Sequence, residues 1–167
     1  MPITLIGYSG GAQLSVAAAP YLRRVLAADI EVISLGGVMS ANNNFLKLEH
    51  LYHLVGDQDV VAALGPVLFP GRRKWFPLSY WNRALRKGKI SEVSLGAMGH
   101  QVPGGIMDPN AFLPDGQSHL QHTIAVILSI LDGHFLVTHP PLPAQISNYE
   151  LYKQADFNNY TYYSDPK

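Results

Sequence analysis

Residues 3–26 read ITLIGYSGGAQLSVAAAPYLRRVL, and the order of elements they predict indicates the fold class. Residues 3–6 are β-branched or aliphatic, which predicts a short buried strand. A glycine-rich turn follows at residues 7–11. From residue 12 to residue 26 apolar side chains recur every three or four positions, which predicts a helix that Pro20 should kink or divide. A strand, a tight turn and a helix in this order indicate a parallel α/β sheet.

The rest of the chain alternates strand-like and helix-like segments in the same way. Three further β-rich runs predict strands, at residues 30–35, 51–55 and 90–95. Apolar periodicity predicts helices at residues 42–50, 60–68 and 118–131. The sequence therefore predicts an α/β fold with a mostly parallel, open sheet of about four strands and flanking helices. We expect this domain to cover residues 1–135, and residues 136–167, rich in Pro, Tyr and Asn, to form a C-terminal extension.

Composition excludes several classes of protein. The 167 residues carry 12 Lys plus Arg and 12 Asp plus Glu, so the formal net charge is zero and we expect no nucleic-acid partner. The absence of Cys excludes disulfides, thiolate metal sites and cysteine nucleophiles. The 47% of hydrophobic residues can form a core, which excludes disorder as the main description. With neither a secretory signal nor a membrane-spanning run of ~18–20 apolar residues, we expect a cytoplasmic or membrane-peripheral location.

The turn Gly7-Tyr8-Ser9-Gly10-Gly11 fits the pattern G-x-S-x-G. A nucleophile on a sharp strand-to-helix turn needs small residues two positions away on either side, because bulky ones would collide. The following helix directs the positive end of its dipole at Ser9, and the Gly10 N–H can donate to a developing oxyanion. The alternatives are a turn without chemistry and a phosphate-binding turn. The latter ranks last, because the lysine of a phosphate-binding loop is missing.

Two candidate partners for Ser9 follow predicted strands. Asp59 follows the third strand and His100 follows the fourth. Because the carboxyl ends of parallel strands meet at one edge of a sheet, we expect these residues to approach Ser9. Asp57, two residues before Asp59, is the alternative acid.

In these residues the chain resembles the α/β-hydrolase superfamily, whose nucleophile, acid and base follow one another in the order Ser, Asp, His. The resemblance implies that Ser9 is the nucleophile, that His100 is the general base and then acid, and that Asp59 orients the imidazole. The family's G-x-x-D spacing favours Asp59 over Asp57. The implied function is a serine hydrolase, similar to esterases, lipases and thioesterases. Its substrate is a small-molecule ester or a lipid, and it uses no cofactor and no metal.

The resemblance covers only the C-terminal half of the family's fold, from the nucleophile elbow onward. In the family, a loop of the earlier half donates the second hydrogen bond to the oxyanion. We therefore expect the first strand to lie at a sheet edge, which a partner or a missing segment would complete. The alternative to a working hydrolase is a catalytically incompetent, hydrolase-like fragment or an interaction module.

A basic and aromatic insert, residues 71–89, separates the predicted acid from the predicted base. Seven of the 12 basic residues lie between Arg72 and Lys89, no acidic residue lies within residues 61–91, and both Trp residues are in the insert. This composition predicts contact with an anionic membrane surface or an acidic head group. The alternative is a solvated basic face with its aromatic rings packed on the domain.

His119 and His122 lie three residues apart on the last predicted helix and could share a face for a metal ion. No carboxylate with suitable spacing accompanies them. We therefore expect two exposed helix residues and no metal site.

Overall fold

The structure is a computed structural model that describes residues 2–133. Its centre is a sheet of four parallel strands in the spatial order β1-β2-β3-β4. The strands are Ile3–Tyr8 (β1), Ile30–Leu35 (β2), His50–Val55 (β3) and Ile90–Ser94 (β4). Spatial order follows chain order, so β1 lies at an edge of the described sheet. The predicted parallel α/β architecture is confirmed.

Helices cover both faces of this sheet. They are Gly10–Leu26 (α1), Val60–Ala63 (α2), Gly65–Leu68 (α3), Tyr80–Arg86 (α4) and His119–Leu131 (α5), with short 3-10 helices at Asn43–Leu46 and Pro70–Arg72. α1 and α4 pack on one face of the sheet, and α5 packs on the other. Among the described residues, no helix has both the length and the apolar character that crossing a bilayer requires.

Adjacent residues of β2 enter two different cores, and four of its six residues are apolar, Ile30, Val32, Ile33 and Leu35. Val32 packs with Val16 of α1, whereas Ile33 packs with Val126 of α5. Strands buried on both faces are typical of parallel sheets. The candidate site lies beyond the carboxyl ends of the strands, where Ser9 follows β1, Asp59 follows β3 and His100 follows β4.

The helix predictions need three corrections, and one helix was not predicted. Over residues 42–50 the structure has only the short 3-10 helix Asn43–Leu46, because the chain extends after it and the Glu49 N–H donates to the Ile30 carbonyl of β2. α1 runs through Pro20 undivided, because Ala19 before it and Leu22 after it pack against the same core. The helix predicted over residues 60–68 is two short helices, and Pro66, which has no N–H to donate, lies in the first turn of the second. α4 was not predicted, although Ser79 caps it by accepting a hydrogen bond from the Asn82 N–H.

His119 and His122 are buried, so the prediction of exposed residues is wrong. His119 Nδ1 donates to the Gly105 carbonyl at 3.1 Å, because α5 packs against the loop that precedes it. Burial lowers the pKa of His122. The described part of the chain contains no group of three or more His, Asp or Glu residues that could hold a metal ion.

The predicted C-terminal extension, residues 136–167, lies outside the described residues, and so does the predicted domain boundary.

Candidate functional site

Ser9 lies between the last residue of β1 and the first residue of α1. Its backbone angles are φ 51° and ψ −119°, and a positive φ is uncommon for a residue with a side chain. The Ser9 N–H donates to the Leu35 carbonyl at 2.9 Å, and the Ser9 carbonyl accepts from the Ala12 N–H at 3.1 Å. Such a conformation costs on the order of 1–3 kcal/mol and persists only where the surrounding structure holds it. The turn is therefore a strained strand-to-helix elbow.

Gly7 is required because the backbone of Gly11 and Ala12, on the other side of the elbow, lies very close to it. A Cβ on Gly7 would lie 2.6 Å from Ala12 N and equally close to the carbonyl carbon and oxygen of Gly11. A Cβ on Gly11 would meet nothing within 4 Å. The expectation that both glycines avoid a collision is right for Gly7 and wrong for Gly11. The Gly11 backbone lies against Gly7, whereas a side chain added at Gly11 would point into open space.

Three side chains form a hydrogen-bonded chain at the carboxyl edge of the sheet. Ser9 Oγ lies 2.9 Å from His100 Nε2, and His100 Nδ1 lies 2.8 Å from Asp59 Oδ2. An ionised carboxylate can only accept, so Nδ1 carries the proton and Nε2 accepts from the Ser9 hydroxyl. Asp59 Oδ1 accepts from the Ala62 N–H at 2.8 Å, which fixes the buried carboxylate as the N-cap of α2.

Asp57, the alternative acid, has another partner. Its side chain is exposed and accepts a hydrogen bond from Ser94 Oγ at 2.6 Å. The carboxylate in contact with the imidazole is therefore that of Asp59.

Tyr8 contacts His100 in two further ways. Its hydroxyl donates to the His100 carbonyl at 2.6 Å, and the two rings stack with centroids 5.3 Å apart. Burial raises the pKa of Tyr8 and the charge of Asp59 raises it further, so the hydroxyl stays protonated as a donor. Sequence reasoning missed Tyr8, although its position beside Ser9 in the turn is a signal that could have found it.

Gly36, directly after β2, makes room for the pair formed by Asp59 and His100. Its φ is +58°, and a Cβ there would lie 2.7 Å from Asp59 Oδ2 and 3.1 Å from His100 Nδ1. A side chain at Gly36 would push the carboxylate and the imidazole away from the sheet edge. Sequence reasoning missed this residue too, and the signal was the Gly-Gly pair at the end of a predicted strand.

The loop that carries His100 is fixed by its own backbone and by α5. The Gly99 N–H donates to the Gly104 carbonyl at 2.7 Å, and the Ile106 N–H donates to the Gly99 carbonyl at 3.1 Å. Thr123 Oγ1, on α5, donates to the Ile106 carbonyl at 2.7 Å. These bonds hold the imidazole toward Ser9 without contacting its ring.

Arg72 and Trp81 belong to the core, although the sequence placed both in a surface insert. The Arg72 guanidinium carbon lies 4.1 Å from the centre of the Trp81 ring, and Arg72 Nη2 donates to His53 Nε2 at 3.2 Å. His53 Nδ1 in turn lies 3.0 Å from Ser34 Oγ. Burial, with the Arg72 charge beside it, lowers the pKa of His53 to about 3, so the imidazole is neutral. This buried network ties the insert to the sheet.

Comparisons with protein-family models, with curated proteins and with solved structures found no match to this chain.

Proposed function

We propose that the chain is a serine hydrolase of the α/β-hydrolase type, which cleaves an ester or thioester through an acyl-enzyme on Ser9. The observation that supports this proposal is the hydrogen-bonded chain from Ser9 through His100 to Asp59. A serine hydroxyl is a poor nucleophile until a base takes its proton. His100 Nε2 lies within the distance that this transfer requires.

In the proposed acylation, Ser9 Oγ bonds to the carbonyl carbon of the substrate while its proton passes to His100 Nε2. Gly10 is the first residue of α1, and the first N–H groups of a helix have no acceptor within it. The Gly10 N–H can therefore donate to the oxyanion. His100 then gives the proton to the departing alkoxide or thiolate as its bond to the carbonyl carbon breaks.

In deacylation a water molecule is the nucleophile and Ser9 Oγ is the leaving group. A water molecule loses a proton to His100 and attacks the acyl-enzyme, and the bond between Ser9 Oγ and the acyl carbon breaks. The carboxylic acid leaves, and the proton returns to Ser9. Asp59 stays ionised throughout and stabilises the imidazolium. This sequence of steps uses neither a cofactor nor a metal ion.

The second candidate is a non-catalytic interaction module with a hydrolase-like fold. It is favoured by β1, which lies at the edge of the described sheet with the Ile6 side chain half-exposed. An edge strand of this kind can pair with another chain. The enzyme remains the better proposal, because a module that only binds a partner has no use for a strained serine aligned with a histidine.

Labelling with a fluorophosphonate probe tests the proposal on the full chain. We expect the probe to modify Ser9 of the folded protein and not to modify heat-denatured protein or the Ser9→Ala variant. Asp59→Asn keeps the oxygen that caps α2 but cannot orient His100 in the same tautomer, so labelling should slow by about 10⁴-fold. Asp57→Asn makes the same chemical change two residues away and serves as the matched control.

Either of two results would contradict the enzyme. One is a folded chain that the probe does not label. The other is equal labelling of the Asp59→Asn and Asp57→Asn variants, which would mean that the buried carboxylate has no role in activating Ser9. The interaction module would then be the better proposal.

A further inference from the structure

An apolar and basic surface follows Asp59 along the chain. We call it the docking face and define it by Leu64, Leu68, Arg73, Lys74, Trp75 and Leu78. In its first part, Leu64 lies between α2 and α3 and Leu68 is the last residue of α3; its second part belongs to the segment that precedes α4. α2, which Asp59 caps, directly precedes this face in the chain.

The apolar side chains of the docking face are unusually exposed. Trp75 is 90% exposed and Leu78 is 85% exposed. Leu64 and Leu68 are exposed as well. Large apolar groups normally contribute to a core or an interface, and a cluster of exposed ones marks a surface that binds something.

The two parts of the docking face lie side by side. Arg73 Nε donates to the Pro66 carbonyl of α3 at 2.9 Å, which holds the second segment against that helix. A groove of about 440 Å³ lies between them and is lined by Pro66, Lys74 and Trp75 together with both arginines of the 72–73 pair. The Leu68 N–H donates to the Leu64 carbonyl at 2.8 Å, so the two leucines lie one helical turn apart on the same side.

Charge indicates the kind of partner. Arg73 and Lys74 are exposed within the apolar cluster, and residues 61–91 contain no acidic residue to offset them. A purely apolar partner would leave these cations without acceptors. An anionic lipid surface offers phosphate oxygens to the cations and an apolar boundary region to the indole and the leucines.

We propose that the docking face binds anionic lipid surfaces. Trp75 and Leu78 enter the interface, while Arg73 and Lys74 contact the head-group phosphates. This surface differs from the segment from Arg72 to Lys89 that the sequence indicated. Arg72 is left out because it is buried against the sheet, and the exposed Leu64 and Leu68 are added. The first residue of the face, Leu64, follows Asp59 by five positions in the chain. Binding to lipid, taken together with the proposed function, makes lipid esters the substrate class of Ser9; this step rests on the proposed function.

Vesicle binding tests the inference on the full chain. The assay measures co-sedimentation with vesicles of phosphatidylglycerol and with vesicles of phosphatidylcholine, together with tryptophan emission. Trp75 and the buried Trp81 are the two tryptophans of the chain, so Trp75 should dominate any shift in emission. We expect binding to phosphatidylglycerol with a blue shift, and much weaker binding to phosphatidylcholine.

Two double variants separate the two contributions to binding. Arg73→Gln with Lys74→Gln should weaken binding to phosphatidylglycerol by about 25-fold, since each basic residue near an anionic surface contributes about fivefold. Trp75→Ser with Leu78→Ser should weaken it by about tenfold or more and abolish the blue shift.

Tyr21→Ser with Arg24→Gln is the matched control, because it removes an exposed aromatic and a basic residue from α1, and its binding should be unchanged. Ser9→Ala should also bind as the wild type does, so a failure of the hydrolase proposal does not affect this result.

The inference would be overturned by an absence of binding to phosphatidylglycerol, by equal binding to the two lipids, or by an equal loss in the control on α1. Sedimentation velocity tests whether a second copy of the chain binds to the docking face. Self-association that Trp75→Ser with Leu78→Ser abolishes, without any vesicle binding, would assign the docking face to a second copy of the chain instead.

Discussion

Replacing Gly7 by Ala adds one methyl group at the point where the elbow brings two stretches of backbone together. The added Cβ would lie 2.6 Å from three backbone atoms, which belong to Gly11 and Ala12. An ordinary van der Waals contact with carbon is about 3.5–4.0 Å, so the overlap is about 1 Å at each contact. None of these atoms ends a flexible side chain. The turn itself must open to admit the methyl group.

The expected cost follows from this geometry. Overpacking a well-packed site costs about 1–3 kcal/mol, and a clash with rigid backbone belongs at the upper end, so Gly7→Ala should lower the free energy of unfolding by about 2–3 kcal/mol. Gly11→Ala is the matched control, because its Cβ has open space and lies in the first turn of α1. Alanine is the better helix former, so the control should leave stability unchanged or raise it by up to about 1 kcal/mol.

Urea unfolding followed by circular dichroism and by tryptophan emission measures both variants. The rate of fluorophosphonate labelling provides a second measure. An opened turn moves Ser9 Oγ away from His100 Nε2, and a misplacement of 1 Å can cost about 10²-fold in rate. If Gly7→Ala and Gly11→Ala unfold at the same urea concentration, the backbone of the elbow is not closely packed around Gly7.

Three further predictions concern single side chains. Ser9→Gly should be more stable to urea than Ser9→Ala by about 1 kcal/mol, because glycine adopts a φ of 51° without strain. A glycine variant that is less stable than the alanine variant would show that the turn stores no strain. Tyr8→Phe keeps the stacked ring but loses the hydrogen bond to the His100 carbonyl, so probe labelling should slow by about 3- to 10-fold. An unchanged labelling rate would show that the Tyr8 hydroxyl does not help to position His100. The pKa of His53 is about 3 in the folded chain against 6.5 when unperturbed, so its contribution to stability is complete above pH 6.5 and is lost as the pH falls from 6.5 toward 3. Between pH 5.5 and 4 nearly all of the unfolded chain binds a proton at His53 and nearly none of the folded chain does, so the slope that His53→Gln removes should be about 1.3 kcal/mol per pH unit. Urea unfolding with the same pH slope in both proteins would show that His53 does not titrate in this way.

Sequence patterns predicted the sheet and the meeting of the candidate residues because both depend on topology. Apolar runs separated by helices specify parallel strands, and the carboxyl ends of parallel strands share an edge. Ser9, Asp59 and His100 each follow such a strand, so they meet without any knowledge of the loops. Their catalytic roles stay a proposal.

Features that depend on loop packing could not be predicted from the sequence patterns. Arg72 and Trp81 belong to one basic and aromatic run, yet each is buried because α4 packs against the sheet beside His53. His119 and His122 look like polar helix residues, and they are buried because the preceding loop folds back over the start of α5. No periodicity along the chain records where a neighbouring loop will lie, so these residues could not be placed before the structure.

The order of the strands bears on when the candidate site forms during synthesis. Each strand pairs with the one made just before it, so the sheet can grow in the order in which the chain leaves the ribosome. The hydrogen bond between Ser9 and His100 spans 91 residues and needs the loop that follows β4. At usual rates of about 5–20 residues per second, Ser9 is made about 5–18 s before His100. A nascent chain therefore carries an inactive serine, and the proposed chemistry begins only after the loop that follows β4 has been made.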